Sequence, residues 1–148
     1  MSNTNLIYHV VFSTKERKPF LKENEISEVS KYIAGIVRNL KGIPLAIHGM
    51  ADHFHVALIA PPTAAVASLV GKLKSNSSRW IHQTLPGLKS FAWQDGYAAF
   101  SVSQSVKNSV VRYVLGQTQH HKKKSFQEEL ITLLELNEIE YDKRYIWA

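Results

Sequence analysis

Two histidines flank a phenylalanine at His53-Phe54-His55, in a run of mostly apolar residues that ends at Ala60. Side chains alternate along a strand, so both imidazoles emerge on one face and the Phe54 ring on the other. Two imidazoles at that separation can share one divalent cation. Two surface histidines paired by chance would read the same way. A second pair, Tyr113 and Gln117, stands four residues apart in a helical stretch, which places them one above the other. Val106 and Val110 share that face, so the pair is expected to look inward. A phenol becomes a nucleophile once a cation or a base eases away its proton. The plainer reading is a core tyrosine whose hydroxyl bonds to the Gln117 amide. His120 and His121 follow closely enough to reach the same side. His48 sits on the neighbouring strand, while His9 and His82 attract no assignment.

With no cysteine in the chain, disulfides, thiolate zinc sites and cysteine nucleophiles are excluded together. Eighteen lysines and arginines against 12 acids give a formal charge of +6, a surplus that draws a polyanion. Its placement says more than its size. Lys15, Arg17 and Lys18 crowd one early loop, Lys74 and Arg79 share a helix, and His121, Lys122, Lys123 and Lys124 are consecutive. These are the candidate phosphate contacts, with surface solubility as the alternative. Glu128, Glu129, Glu135, Glu138 and Glu140 make the tail an unfavourable place for a phosphate backbone.

The elements that must position these groups are legible. Asn5–Ser13 is rich in β-branched and aromatic residues and reads as a strand, followed by a basic loop to Pro19. From Asn24 a helical period carries Ile26, Val29, Ile33, Ile36, Val37 and Leu40, and Gly42 is placed to end it. Ile43–Met50 and His53–Ala60 read as two strands joined through Ala51 and Asp52, a hairpin that Pro61 and Pro62 stop. A second amphipathic helix follows through Ile81, and Pro86-Gly87 turns the chain. Phe91–Ser103 looks extended, with Gly96 as a bulge or turn, and Trp93 and Tyr97 as aromatics for the core or for base stacking. Helices over Ser105–His121 and Phe126–Leu136 complete the pattern. The order implies an α+β fold: a ferredoxin-like (RRM-like) split β-α-β with an antiparallel sheet plus C-terminal helices. At 148 residues without repeats, the chain is expected to form one domain over 1–148. No signal peptide or membrane span is apparent, so a cytoplasmic protein is expected.

His53-Phe54-His55 and Tyr113-x-x-x-Gln117, taken together, resemble the single-tyrosine HUH transposases of bacterial and archaeal insertion sequences, relatives of the REP-associated tyrosine transposases. The opening strand with its TKERKP loop and the run Trp93–Ser103 (WQDGYAAFSVS) extend the likeness over nearly the whole chain. The resemblance implies a metal-dependent single-strand DNA endonuclease and strand transferase that recognises DNA hairpins. His53, His55 and Gln117 would hold Mg2+ or Mn2+. Tyr113 would attack a phosphodiester, leaving a 5′-phosphotyrosine and a free 3′-hydroxyl. It also implies a homodimer in which each site joins the histidines of one subunit to the tyrosine helix of the other. The link Ser103-Gln104-Ser105 is polar and permits such crossing without requiring it.

One rival is a non-catalytic RNA- or single-stranded-DNA-binding module with an RRM-like fold. Its signature needs a basic residue where Asp95 stands, ahead of Gly96-Tyr97-Ala98-Ala99-Phe100. A zinc-stabilised dimerisation domain is a second rival, but two histidines and an amide are a poor structural zinc set.

Overall fold

The computed structural model describes residues 2–120, 124–144 and 146; His121, Lys122 and Lys123 of the basic run lie outside them. Four strands, β1 (Leu6–Ser13), β2 (Ile43–Met50), β3 (His53–Ala60) and β4 (Ala98–Val102), form one antiparallel sheet in the order β2-β3-β1-β4. The helices are α1 (Glu23–Asn39), α2 (Val66–Thr84), α3 (Lys107–Leu115), α4 (Gln117–His120) and α5 (Phe126–Leu136). This is the ferredoxin-like α+β plan with helices added after the last strand.

β1 and β3 are central and covered on both sides, which is why β3 is buried at seven of its eight positions. On one face Val10, Phe12, Phe54, Val56 and Leu58 meet Val29, Ile33 and Val37 of α1 and Leu69, Val70 and Leu73 of α2. The other face is covered by the later helices. Phe126, Leu130 and Leu134 of α5 pack on Val11 and Phe100, while Val114 of α3 packs on Ala46 and Ala57. Ser125 caps α5: its hydroxyl accepts from the Glu128 N–H at 3.2 Å, fixing which positions turn inward.

Three expectations are corrected. The extended stretch from Phe91 contributes a strand only at Ala98–Val102, after a single bridge between Thr14 and Trp93. Trp93 is a core residue whose Nε1–H donates to Ser77 Oγ at 3.0 Å. The helix expected over Ser105–His121 opens as a 3-10 turn and breaks at Gly116, where the N–H is shared between the carbonyls of Arg112 and Tyr113. Glycine is a poor helix-interior residue, by about 1 kcal/mol against alanine. Val106 consequently sits in the turn, 46% exposed, and Val114 takes the inward position instead. At the end of α1 it is Lys41, at φ 69°, that turns left-handed. Gly42 closes that end as expected, its N–H donating to the Val37 carbonyl at 2.9 Å, and it also leaves space, since a Cβ there would stand 3.0 Å from the Ile59 carbonyl oxygen.

Candidate active site

The polar cluster lies on the sheet face beneath α3, α4 and α5. Strand alternation sends Phe54 into the apolar core and His53 and His55 the other way, all three fully buried or nearly so. Gly49, opposite Phe54 on β2, lets the hairpin close: a Cβ there would lie 2.3 Å from the His53 carbonyl oxygen and 2.8 Å from the Phe54 ring. Phe126 of α5 stacks on the His53 ring with centroids 4.3 Å apart.

Each imidazole is held from behind. Asp52, in the hairpin turn, accepts from His53 Nδ1–H at 2.8 Å, which leaves Nε2 facing the cluster. His55 Nδ1 meets His9 Nε2 at 2.7 Å, and the two rings stack. Burial first, and the neighbouring His55 second, push the His9 pKa down to about 3, so this ring is neutral and can either give or take a proton in that bond. His48 stands opposite His55 on β2, half-buried, with its pKa lowered by burial and then by His53, outside the cluster proper.

The tyrosine side closes on a residue that the sequence reading passed over. Glu129 of α5 is 3% exposed. Its Oε1 accepts from His55 Nε2 at 2.9 Å and lies 3.7 Å from His53 Nε2. Its Oε2 accepts the Tyr113 hydroxyl and, at 3.2 Å, the Gln117 amide. Gln117 turns its Oε1 to His53 Nε2 at 3.3 Å. The Tyr113 hydroxyl therefore bonds to Glu129, with the Gln117 side chain as a further hydrogen-bond partner. Burial raises its pKa most, and the bond to Glu129 raises it further, so the phenol is protonated in this arrangement. A cleft of about 470 Å³, lined by Tyr113, Glu129, Lys124 and Leu133, opens beside it and is of ligand-site size.

The donor set fits a divalent cation. His53 Nε2, His55 Nε2 and a Glu129 oxygen lie within 4.8 Å of one another. Ligands about 2.1 Å from one ion at right angles stand about 3.0 Å apart; Glu129 Oε1 lies 2.9 Å from His55 Nε2 and 3.7 Å from His53 Nε2, and Gln117 Oε1 lies 3.3 Å from His53 Nε2.

The structure thus gathers His53, His55, Tyr113 and Gln117. It also puts the loop of Lys15, Arg17 and Lys18 at the same end of the sheet, where the Thr14 N–H donates to the Asp52 carbonyl at 2.8 Å. Lys74 and Arg79 lie on α2, across the sheet. Lys74 donates to the carbonyls of Asp95 and Gly96 at 3.2 and 3.0 Å, and Arg79 to Asn76 at 2.7 Å. Two signals for the missed residues were present. Glu129 is an acid inside the inward stripe Phe126, Leu130, Leu134, and His9 shares one strand face with the apolar Ile7 and Val11.

Two solved transposase structures share this fold. The fold matches a provisionally assigned transposase from Deinococcus radiodurans R1 (TM-score 0.66, 24% identity, 78% of this chain and 93% of that one). It also matches a REP-associated tyrosine transposase bound to a REP hairpin (TM-score 0.61, 16% identity, 82% and 74%). In sequence, the ISDra2 transposase TnpA of Deinococcus radiodurans is 28% identical over 79% of this chain and 86% of its own. The transposase of insertion sequence IS200 from Salmonella typhimurium is 33% identical over 57% of this chain and 56% of its own. Residues 2–117 match the model of the IS200-like transposases, and the chain belongs to that family. Among the described residues no helix is long and apolar enough to cross a membrane.

Proposed function

We propose that this transposase cleaves and rejoins single-stranded DNA at the ends of its insertion sequence, with Tyr113 as nucleophile and His53, His55 and Gln117 holding Mg2+ or Mn2+. One observation carries the reading. Residues about sixty positions apart in sequence converge, so that the Tyr113 hydroxyl and both imidazoles meet the same buried carboxylate. The cation would offset the charge of a phosphodiester and align it. Tyr113 donates its proton toward Glu129 Oε2, and its oxygen forms the new bond to phosphorus as the bond to the 3′ oxygen breaks. That oxygen leaves and takes up one proton, giving the free 3′-hydroxyl. The phosphotyrosine keeps the bond energy, so rejoining needs no nucleotide cofactor. Residues 1–148 work as one unit in the cytoplasm.

Incubation with single-stranded ends of the element and Mn2+ tests this. A covalent protein–DNA band on a denaturing gel, lost in Tyr113→Phe, is expected; cleavage undiminished in that variant would overturn the assignment. Binding should favour a folded hairpin over plain duplex. It should also weaken steeply with salt, because Lys15, Arg17, Lys18 and the run His121, Lys122, Lys123 would release counterions from phosphate. Equal affinity at low and moderate salt would count against those contacts.

The homodimer with shared sites is the remaining part of the proposal. In the single chain Tyr113 already lies against its own His55, with ring centroids 5.7 Å apart. In the shared form, the segment after Ser103 would carry Tyr113, Gln117 and Glu129 across together. Coexpressing a subunit lacking His53 and His55 with one lacking Tyr113 distinguishes the two. Cleavage by the isolated mixed dimer supports sharing; an inactive one places each site within one subunit.

A further inference from the structure

We infer that Glu129 is a ligand of the site's cation through Oε1 and holds the nucleophile Tyr113 through Oε2. This rests on the proposed metal-assisted function and adds a residue to it. The 2–117 family match ends before Glu129, so nothing in that match assigns the residue. The geometry does.

The outward atoms of the cluster are committed to specific partners: His53 Nδ1 to Asp52, His55 Nδ1 to His9, and the Gln117 amide nitrogen to Glu129 Oε2. Pointed at the centre are His53 Nε2, His55 Nε2, Gln117 Oε1 and Glu129 Oε1; all four offer a lone pair to a cation once the proton that His55 Nε2 gives Glu129 sits on Nδ1 instead, where neutral His9 Nε2 accepts it. The set is two imidazole nitrogens and two oxygens, one of them anionic, which suits Mn2+ or Mg2+ better than a soft metal.

Burial argues the same way. A carboxylate beneath an apolar helix stripe carries a desolvation cost that neutral donors offset only in part. A divalent cation at Oε1 offsets it directly. Because the second oxygen of the same carboxylate holds the Tyr113 hydroxyl, Glu129 fixes the distance between nucleophile and cation through one rigid group. Histidines and an amide alone leave the ion its whole charge, whereas Glu129 lowers that by one and anchors it more tightly.

The test is Mn2+ binding by the full-length chelator-stripped protein without DNA, followed by electron paramagnetic resonance and calorimetry. Glu129→Gln keeps the shape and the Tyr113 bond but removes the charge, and should weaken Mn2+ by about tenfold or more. Tyr113→Phe keeps the ring against His55 and should hold Mn2+ nearly as the wild type does, since on Glu129 the hydroxyl it removes bonds Oε2 and not Oε1. Should Glu129→Gln fold poorly by circular dichroism, Glu129→Asp takes its place. It draws the charge back by one methylene and should also weaken Mn2+ about tenfold. Wild-type Mn2+ affinity in a folded Glu129 variant, alongside its loss in His55→Ala, overturns this inference and leaves the proposed function standing. Equal weakening by Tyr113→Phe and Glu129→Gln would mark a scaffold effect and overturn it too. A wild-type protein that neither binds Mn2+ nor cleaves DNA overturns the function reading itself.

Discussion

The two faces of the sheet are built from the same strands and buried to the same depth, yet they are different materials. From β3, Phe54, Val56 and Leu58 enter a core of aliphatic and aromatic side chains, while His53 and His55, equally hidden, enter a hydrogen-bonded polar cluster. Burial therefore does not separate structure from chemistry here. Interchangeability does. The apolar face asks for volume, and neighbours can repack around a changed side chain. On the polar face each atom requires one partner, and the partners come from distant parts of the chain: Asp52 from the hairpin, His9 from β1, Gln117 and Glu129 from the helices after the last strand.

Substitutions on adjacent residues of β3 break the comparison most directly. Phe54→Ala should cost about 3–5 kcal/mol, much of a small domain's stability, because it opens a cavity under α1 and α2. Whatever fraction stays folded should still cleave DNA. His53→Ala and His55→Ala should do the reverse, lowering cleavage on the order of a thousandfold or more while DNA binding stays near wild type. Denaturation curves and cleavage rates measured on the same preparations check both. Cleavage by both histidine variants at wild-type rates would sink the metal assignment.

Gly49→Ala touches both faces at once, since the new methyl meets the His53 carbonyl and the Phe54 ring. Overpacking of this kind should cost about 1–3 kcal/mol and reduce cleavage and stability together.

A pH titration sharpens the contrast, because the buried histidines stand on the polar face. His9 has a folded pKa near 3, below its ordinary 6.5, so the unfolded chain binds the extra proton between those values. Its stabilising contribution is whole above pH 6.5 and is lost as the pH falls, at up to about 1.4 kcal/mol per pH unit. Urea denaturation at pH 7, 6 and 5 should show a shallower loss in His9→Gln than in wild type; parallel slopes would contradict it. The smallest effect belongs to Gln117→Ala. Water can replace a neutral amide at a cation, so cleavage should fall about tenfold.

The sequence carried the sheet, both early helices and the opposed faces of β3, because alternation and the helical period are local signals. It also singled out His53, His55, Tyr113 and Gln117, which the fold gathers. Glu129 escaped because it stands among the tail's acids, which read together as repelling phosphate, although an acid at an inward position of α5 breaks that helix's apolar stripe. His9 escaped because its meaning depends on the β1–β3 register, a long-range property. The break at Gly116 was hidden by a helical period that continues across it.

That break also bears on how the molecule breathes. α3 has nine residues, α4 four and α5 eleven, all below the length of about 12–15 at which an isolated helix holds its shape in water. Their order is borrowed from docking on the sheet, through Val114, Phe126 and the Tyr113–Glu129 contact. The tyrosine's segment can undock while the strands stay paired, a sub-global opening smaller than unfolding. Amide exchange should then be faster in α3 than in β1 and β3. For the proposed single-stranded substrate, access to the half-buried Tyr113 hydroxyl becomes a matter of how often that segment opens.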